Sequence, residues 1–200
     1  MTRTTDVEES VTPNPGFSEG EKAERTAMGL PPESTAARGS LVALRSVERW
    51  AVRKRALRAP EVLGEATAYQ RPSSFSRGLR VDLEGGTAHL FLSGTASVGA
   101  DGATVHPGDF RAQCWRTYRN LTRLLESGNA TWRDVVRCTC YLQDIERDYA
   151  EFNVVRTEFF SALGLDPFPA STAVQARLCR SDLLVEIEAH AILERAATSR

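Results

Sequence analysis

The stretch AVQARLCRSDLLVEIEAHA, Ala173 to Ala191, decides how the fold is read. Two runs of alternating residues meet at Ser181-Asp182. A turn there predicts an antiparallel hairpin that sets Arg177 against Glu186, Gln175 against Glu188, Cys179 against Leu184 and Ala173 against His190. Side chains alternate with a period of two, so one face collects Thr172, Val174, Ala176, Leu178, Val185, Ile187 and Ala189. The other collects Ser171, Gln175, Arg177, Cys179, Glu186, Glu188 and His190. A slip of one residue would drive the carboxylates into the core, so the register is well specified. The apolar face packs, and the polar face is either a wet sheet surface or the wall of a site.

Around this stretch the composition is that of a globular protein. Two hundred residues with 42% hydrophobic content suffice for one domain with an appendage. A formal net charge of -1 argues against a nucleic-acid partner, because phosphate binding needs a basic excess focused on one face. No apolar run approaches the roughly 20 residues that span a bilayer, so no membrane partner is expected. Cys114, Cys138, Cys140 and Cys179 lack CxxC or CxxH spacing, and the N terminus does not read as a signal peptide. Reduced thiols in a cytoplasmic protein follow. His89, His106 and His190 are too dispersed to gather a metal, and no cofactor is expected.

Residues 1 to about 37 carry four prolines among Glu, Ser, Thr and Gly, with few large apolar groups, and are expected to be disordered. From about Ser40 to Leu57, Leu41, Leu44, Val47 and Ala51 recur at helical spacing, which predicts an amphipathic helix that ends before Pro60. Residues 1–70 thus form an N-terminal extension, 71–195 the folded domain and 196–200 a tail. Within the domain, Leu79 to Leu83 and Ala88 to Ser93 alternate as strands around Glu84-Gly85-Gly86, a hairpin signal. Asp109 to Ser127 reads as a helix with Gly128 at its C′ position. Asp134 to Gln143 reads as a strand whose Val136, Cys138, Cys140 and Leu142 face the helices, leaving Arg137, Thr139 and Tyr141 opposite. Asp148 to Leu163 reads as a second helix, with Phe152, Val155, Phe159 and Leu163 on its buried stripe. The order is ββαβαββ, an α+β domain with two helices on one face of a sheet. The uncovered face, with Tyr141, Arg177, Glu186, Glu188 and His190, is too polar for a monomer core, and self-association would cover it.

Several motifs together resemble the RidA (YjgF) superfamily: Phe75-Ser76-Arg77-Gly78, Ser93-Gly94-Thr95, Pro169-Ala170 and Glu186-Ile187-Glu188-Ala189, in the order ββαβαββ. The resemblance implies a chorismate-mutase-like fold, a homotrimer and ligand pockets between subunits. It also implies a small carboxylated metabolite as ligand. The imine deaminases of that superfamily carry Pro-Ala-Arg-Ser-Cys, whose Arg clamps the substrate carboxylate. Here the stretch reads Pro169-Ala170-Ser171-Thr172-Ala173, so Ser171 stands at the clamp position and a hydroxyl cannot supply a guanidinium fork. Phe75, Asn153 and Glu186 match other pocket positions.

A closer resemblance is to the catalytic half of chorismatases, of the type that yields 3-hydroxybenzoate. It rests on Ser73-Ser74-Phe75-Ser76-Arg77, Leu92 to Ser97, His106-Pro107-Gly108-Asp109 and Cys179 to Glu188. It implies Glu186 as proton donor and Cys179, seven residues earlier, as the second catalytic residue. The substrate-binding residues expected are Phe75, Arg77, Ser93, Gly94, Thr95, Tyr141, Asn153, Gln175 and Arg177. Arg77 and Arg177 are the candidate partners of a dicarboxylate. The function so implied is release of pyruvate from chorismate. The alternatives are an imine or enamine hydrolase of altered substrate range and a non-catalytic metabolite-binding trimer. A plainer reading of Glu186 is an exposed cross-strand pair with Arg177.

Overall fold

The computed structural model describes residues 18–27, 52–69 and 72–194. The chain divides into two compact units, 1–50 and 51–200. In the first, Glu19–Ala27 forms a helix, α1, where disorder was expected, with a Lys22–Glu19 ion pair one turn apart. The remainder of the expected disordered segment, residues 40–51 of the expected helix and the tail lie outside the described residues.

The second unit contains a six-stranded sheet. Its strands are β1 (Arg53–Ala56), β2 (Gly78–Asp82), β3 (Thr87–Ala96), β4 (Val135–Leu142), β5 (Ala170–Gln175) and β6 (Val185–Glu194). Two helices, α2 (Phe110–Ser127) and α3 (Ile145–Ala162), cover one face. From β2 onward the order is the expected ββαβαββ. β1 is a correction: Arg53–Ala56 was expected as the end of a helix and instead pairs antiparallel with β2. After it, Leu57, Ala59, Val62, Leu63 and Ala66 are all buried. The sequence signal misled because RKRA offers no apolar alternation; the strand is an exposed edge fixed by backbone pairing.

The strand order is β1-β2-β3-β6-β4-β5, with every pair antiparallel except β4 and β5. This overturns the closing hairpin. β6 lies between β3 and β4, and β5 lies beyond β4, so none of the expected cross-strand pairs of the hairpin forms. Residues 176–184 cross the end of β4, held there by Ala176 N–H to Leu142 O at 2.9 Å and Gln143 N–H to Leu184 O at 3.0 Å. The buried Gln113 of α2 fastens the crossing from the core side. Its amide donates to Asp182 O and His106 O, and its Oε1 accepts from Leu184 N–H.

Parallel pairing also inverts the expected face of β5. Ser171 stands beside Cys138 and Ala173 beside Cys140, and both cysteines are buried toward the helices. Thr172 accepts from Arg137 on the open face. On β6 the alternation is as read: Val185, Ile187, Ala189 and Ala191 are buried, and Glu186, Glu188 and His190 lie on the open face. On β4 a bulge makes Val136 an extra residue, so Val135 takes the core position and Val136 is exposed.

Both helices start at aspartate caps: Asp109 accepts from Ala112 N–H and Asp144 from Arg147 N–H, so α3 begins three residues earlier than expected. Phe152, Val155 and Phe160 fill its inner stripe, while Leu163 is the exposed C-cap. Tyr118 of α2 stacks on Phe159 at 4.4 Å, with Trp132 and Phe160 edge-on around them. Gly128 has a helical φ of -88°, so it is no left-handed cap; its hydrogen is needed because a Cβ would lie 2.3 Å from Leu90 Cδ2. Cys114 and Cys138 are buried, and burial pushes their thiols up to about 12.

Leu57 is fully buried, so Leu57→Ala should cost about 2–5 kcal/mol in chemical denaturation. A change under about 0.5 kcal/mol would place residues 52–66 outside the cooperative unit.

Candidate functional site

The site grows from an irregularity in β3. Its register with β6 runs Leu92 to Ala189 and then Thr95 to Ile187, so Ser93 and Gly94 together oppose Glu188. This bulge turns the strand backbone toward β6. It is fixed by Ser93 Oγ–H donating to Ser76 O at 2.8 Å and by Thr95 Oγ1–H donating to Ser93 O at 2.9 Å. From the core side, Asn120 donates to Ala96 O and Val98 O. Gly94 therefore presses on Glu186: a Cβ there would lie 2.1 Å from Glu186 Oε1. Only the absence of a side chain at Gly94 leaves room for that carboxyl.

Glu186 is half-buried and sits opposite Tyr141 of β4. Burial raises its carboxyl above the ordinary range, the Arg77 guanidinium opposes the rise, and the Glu188 carboxylate adds to it. Tyr141 is likewise raised, by burial and then by the Glu188 carboxylate diagonal to it. Arg77 is only 4% exposed, and its Nε and Nη2 both donate to Gly64 O at 2.9 and 2.8 Å. Its guanidinium lies 5.0 Å from the Tyr69 ring centroid and 5.3 Å from that of Phe75. Burial lowers its pKa; Glu65 and Glu186 counter this, and Arg180 adds to it. The cation beside Arg77 is thus Arg180, which donates to Gly102 O and covers the other aromatic contact with Tyr69.

Next to this cluster a groove of about 440 Å³ opens on the uncovered face, lined by Phe75, Ser76, Ser93, Arg137, Glu188 and His190 among others. His190 stacks on Phe91 at 4.5 Å, and its Nε2 lies 3.1 Å from His89 Nδ1, one nitrogen donating to the other.

Of the residues expected from sequence, Phe75 and Ser93 line the groove, and Glu186, Arg77, Gly94 and Tyr141 adjoin it. Thr95 is buried and braces the bulge. Gln175 accepts from Ile145 N–H at the start of α3, on the helix side of the sheet. Asn153 accepts from Arg156. Cys179 and Arg177 are exposed in the crossing, and among the described residues no hydrogen bond or ion pair engages either. Arg137 and Arg180 were missed. Each is an arginine whose placement depends on which strands are neighbours; only Arg137, on the open face of its strand, had a sequence signal. Among the described residues no three His, Cys, Asp or Glu side chains cluster to hold a metal, and no helix is long and apolar enough to cross a membrane.

A six-stranded mixed sheet covered on one face by two helices is the YjgF-like fold. The chain belongs to the Endoribonuclease L-PSP family, whose profile matches residues 71–193. A RutC family protein of Pyrococcus abyssi is 32% identical over 105 residues, 52% of this chain and 79% of that protein. Protein DfrA of Myxococcus xanthus is 33% identical over 120 residues, 59% of this chain and 84% of that one. Among solved structures, the E. coli YjgF gene product superposes with a TM-score of 0.55 at 23% identity, over 69% of this chain and 98% of its own. E. coli TdcF, solved with bound serine, gives 0.57 at 21% identity, over 70% and 99%. The finer resemblance to chorismatases finds no support in these matches.

Gly94→Ala should displace the Glu186 carboxyl while leaving the circular-dichroism spectrum unchanged, because the atom in the way is the end of a side chain. A fold lost with this substitution would show that the backbone, and not the carboxyl, needs the space. His190 is lowered from its ordinary 6.5 by burial and then by His89, so its neutral form is favoured in the fold. The unfolded chain takes up a proton as pH falls through 6.5 and the folded chain resists, so stability declines below that pH until the depressed value is passed. Melting curves from pH 8 to 5 should show this decline, and His190→Gln should flatten it.

Proposed function

We propose that this protein hydrolyses the C=N bond of small 2-imino acids or their enamine tautomers, releasing ammonia and a 2-oxo acid. The observation that carries this reading is Glu186, a carboxyl held against Gly94 and raised by burial, beside a groove large enough for a small metabolite. A carboxyl so raised keeps its proton closer to neutrality than an exposed one and can act as general acid. In the reaction a proton passes from Glu186 to the imine nitrogen while water adds to the carbon, and the added water returns one proton to Glu186, leaving a carbinolamine. Glu186 then gives that proton to the amino nitrogen as the C–N bond breaks and ammonia departs, and the hydroxyl proton passes back to Glu186 as the carbonyl forms. Phe75 offers a half-exposed ring for the body of the substrate. The serine bound by TdcF, a protein of the same fold, supports an amino-acid-derived ligand.

Pyruvate release from chorismate is the competing reading, and it rests on sequence motifs, with Cys179 expected near Glu186. Incubating the protein with imines generated in situ from amino acids, and separately with chorismate, distinguishes the two by ammonia or pyruvate formed. Ammonia release accelerated by the wild type supports the proposal; pyruvate with hydroxybenzoates moves the chemistry to the chorismatase reading.

Glu186→Gln should lower imine turnover by about 10²- to 10⁴-fold, since an amide keeps the shape without delivering a proton. Wild-type activity should fall as pH rises through the elevated Glu186 value. The same shift has a stability counterpart. A raised carboxyl stabilises the fold below its ordinary 4.5, and that contribution is lost as pH rises, so Glu186→Gln should melt higher than wild type at pH 8 and not at pH 4.

A further inference from the structure

Arg156 on α3 is a guanidinium held by neutral partners. Its Nη1 donates to Ser171 Oγ at 3.0 Å and its Nη2 to Asn153 Oδ1, and its plane lies 5.3 Å from the centroid of the buried Phe152 ring. Other arginines nearby have acids: Arg147 pairs with Asp148, and Arg111 with Glu151 and Glu158. Among the described residues no carboxylate forms an ion pair with Arg156. Two of its N–H groups are occupied, three remain, and the fork is fixed by a strand hydroxyl on one side and a helix amide on the other. A planar cation so oriented and left without a counter-charge is suited to a carboxylate, which it can grip bidentately.

We propose that Arg156 is the carboxylate-binding residue of this protein, delivered from α3, with Ser171 and Asn153 as its positioning residues. This rests on the imine-hydrolase reading for the identity of the substrate. It revises the expectation that Ser171 leaves the chain without a clamp: the charge comes from the helix instead of from the strand, and the small Ser171 side chain leaves it space and an acceptor.

The sheet supplies a second consequence. Ser171 lies on the helix face of β5, beside Cys140 Sγ at 3.8 Å, whereas Glu186 lies on the open face of β6, two strands away. One copy cannot bring both groups to one small molecule. A substrate touching both lies between two copies, with Glu186 from one and Arg156 from its neighbour.

The test uses the full chain and its variants Arg156→Ala, Arg156→Lys and Glu186→Gln. Pyruvate, a small 2-oxo acid, is titrated by calorimetry, and imine hydrolysis is followed for a 2-imino acid and for the matching 2-imino amide, which lacks the charge. Arg156→Ala should weaken pyruvate binding and raise KM for the acid roughly 10- to 100-fold, with a smaller change in kcat. It should treat acid and amide alike, where wild type prefers the acid, and Arg156→Lys should recover part of that preference. Unfolding, mixing and refolding Arg156→Ala with Glu186→Gln, each nearly inactive under limiting substrate, should restore activity, because some mixed sites then carry both groups. Undiminished pyruvate binding and acid preference in Arg156→Ala, in a sample of wild-type oligomeric state, overturns the proposal while leaving imine hydrolysis in place. A wild type that turns over no imine yet loses pyruvate affinity in Arg156→Ala overturns the imine reading and leaves the carboxylate site. A wild type that does neither overturns both.

Discussion

The pairing of β6 between β3 and β4 is the constraint on which the rest depends. A strand bonded on both sides has no freedom of register: its apolar side chains meet α2, and its acids face the other way. Once β6 is central, the two-for-one bulge at Ser93-Gly94 must fall opposite Glu188, and Gly94 then comes to lie against Glu186. The buried polar groups of α2 serve this arrangement. Asn120 satisfies the carbonyls where β3 leaves the sheet, and Gln113 satisfies the chain where it returns to β6, so the irregular backbone on either side of the acid is hydrogen-bonded rather than loose.

The electrostatics of the site follow from that packing. Glu186 is desolvated by the backbone and by its neighbours, and Arg77, a cation close to it, is held to the Gly64 carbonyl and flanked by aromatic rings. Arg77 is thus a fixed charge that moderates the acid. Glu188 faces the groove on the same side of β6, so the two carboxyls of Glu186-Ile187-Glu188 meet different surroundings although only one residue separates them.

The period-two pattern of β6 and β3, the start of α2 at Asp109 and the acid at Glu186 were legible because each depends on neighbours close in sequence. The partner of β5 was not. Alternation in Ala170–Gln175 is compatible with either neighbour, and the short, turn-like Ser181-Asp182 favoured a hairpin that the crossing over β4 excludes. With the partner misassigned, Ser171 and Gln175 were placed on the wrong face, and Arg177 was preferred to Arg180 as the cation of the site. β1 escaped notice for a different reason: an edge strand of basic residues buries almost nothing of its own, and its identity comes from β2. Arg156 had one indirect sign, the absence of an arginine at Ser171, but finding its location required knowing which strand α3 covers.

Among the described residues β5 ends the sheet with an unpaired edge, the kind of surface on which a further strand can add. Its two central hydroxyls point to opposite faces, and each is gripped by a guanidinium: Ser171 by Arg156 from the helix layer, Thr172 by Arg137 from the open face. The edge is therefore straddled by positive charge. Two copies meeting edge to edge would bring four guanidiniums together, so uncontrolled growth of the sheet into a fibre is opposed by repulsion, and only a partner offering negative charge or a different geometry can approach.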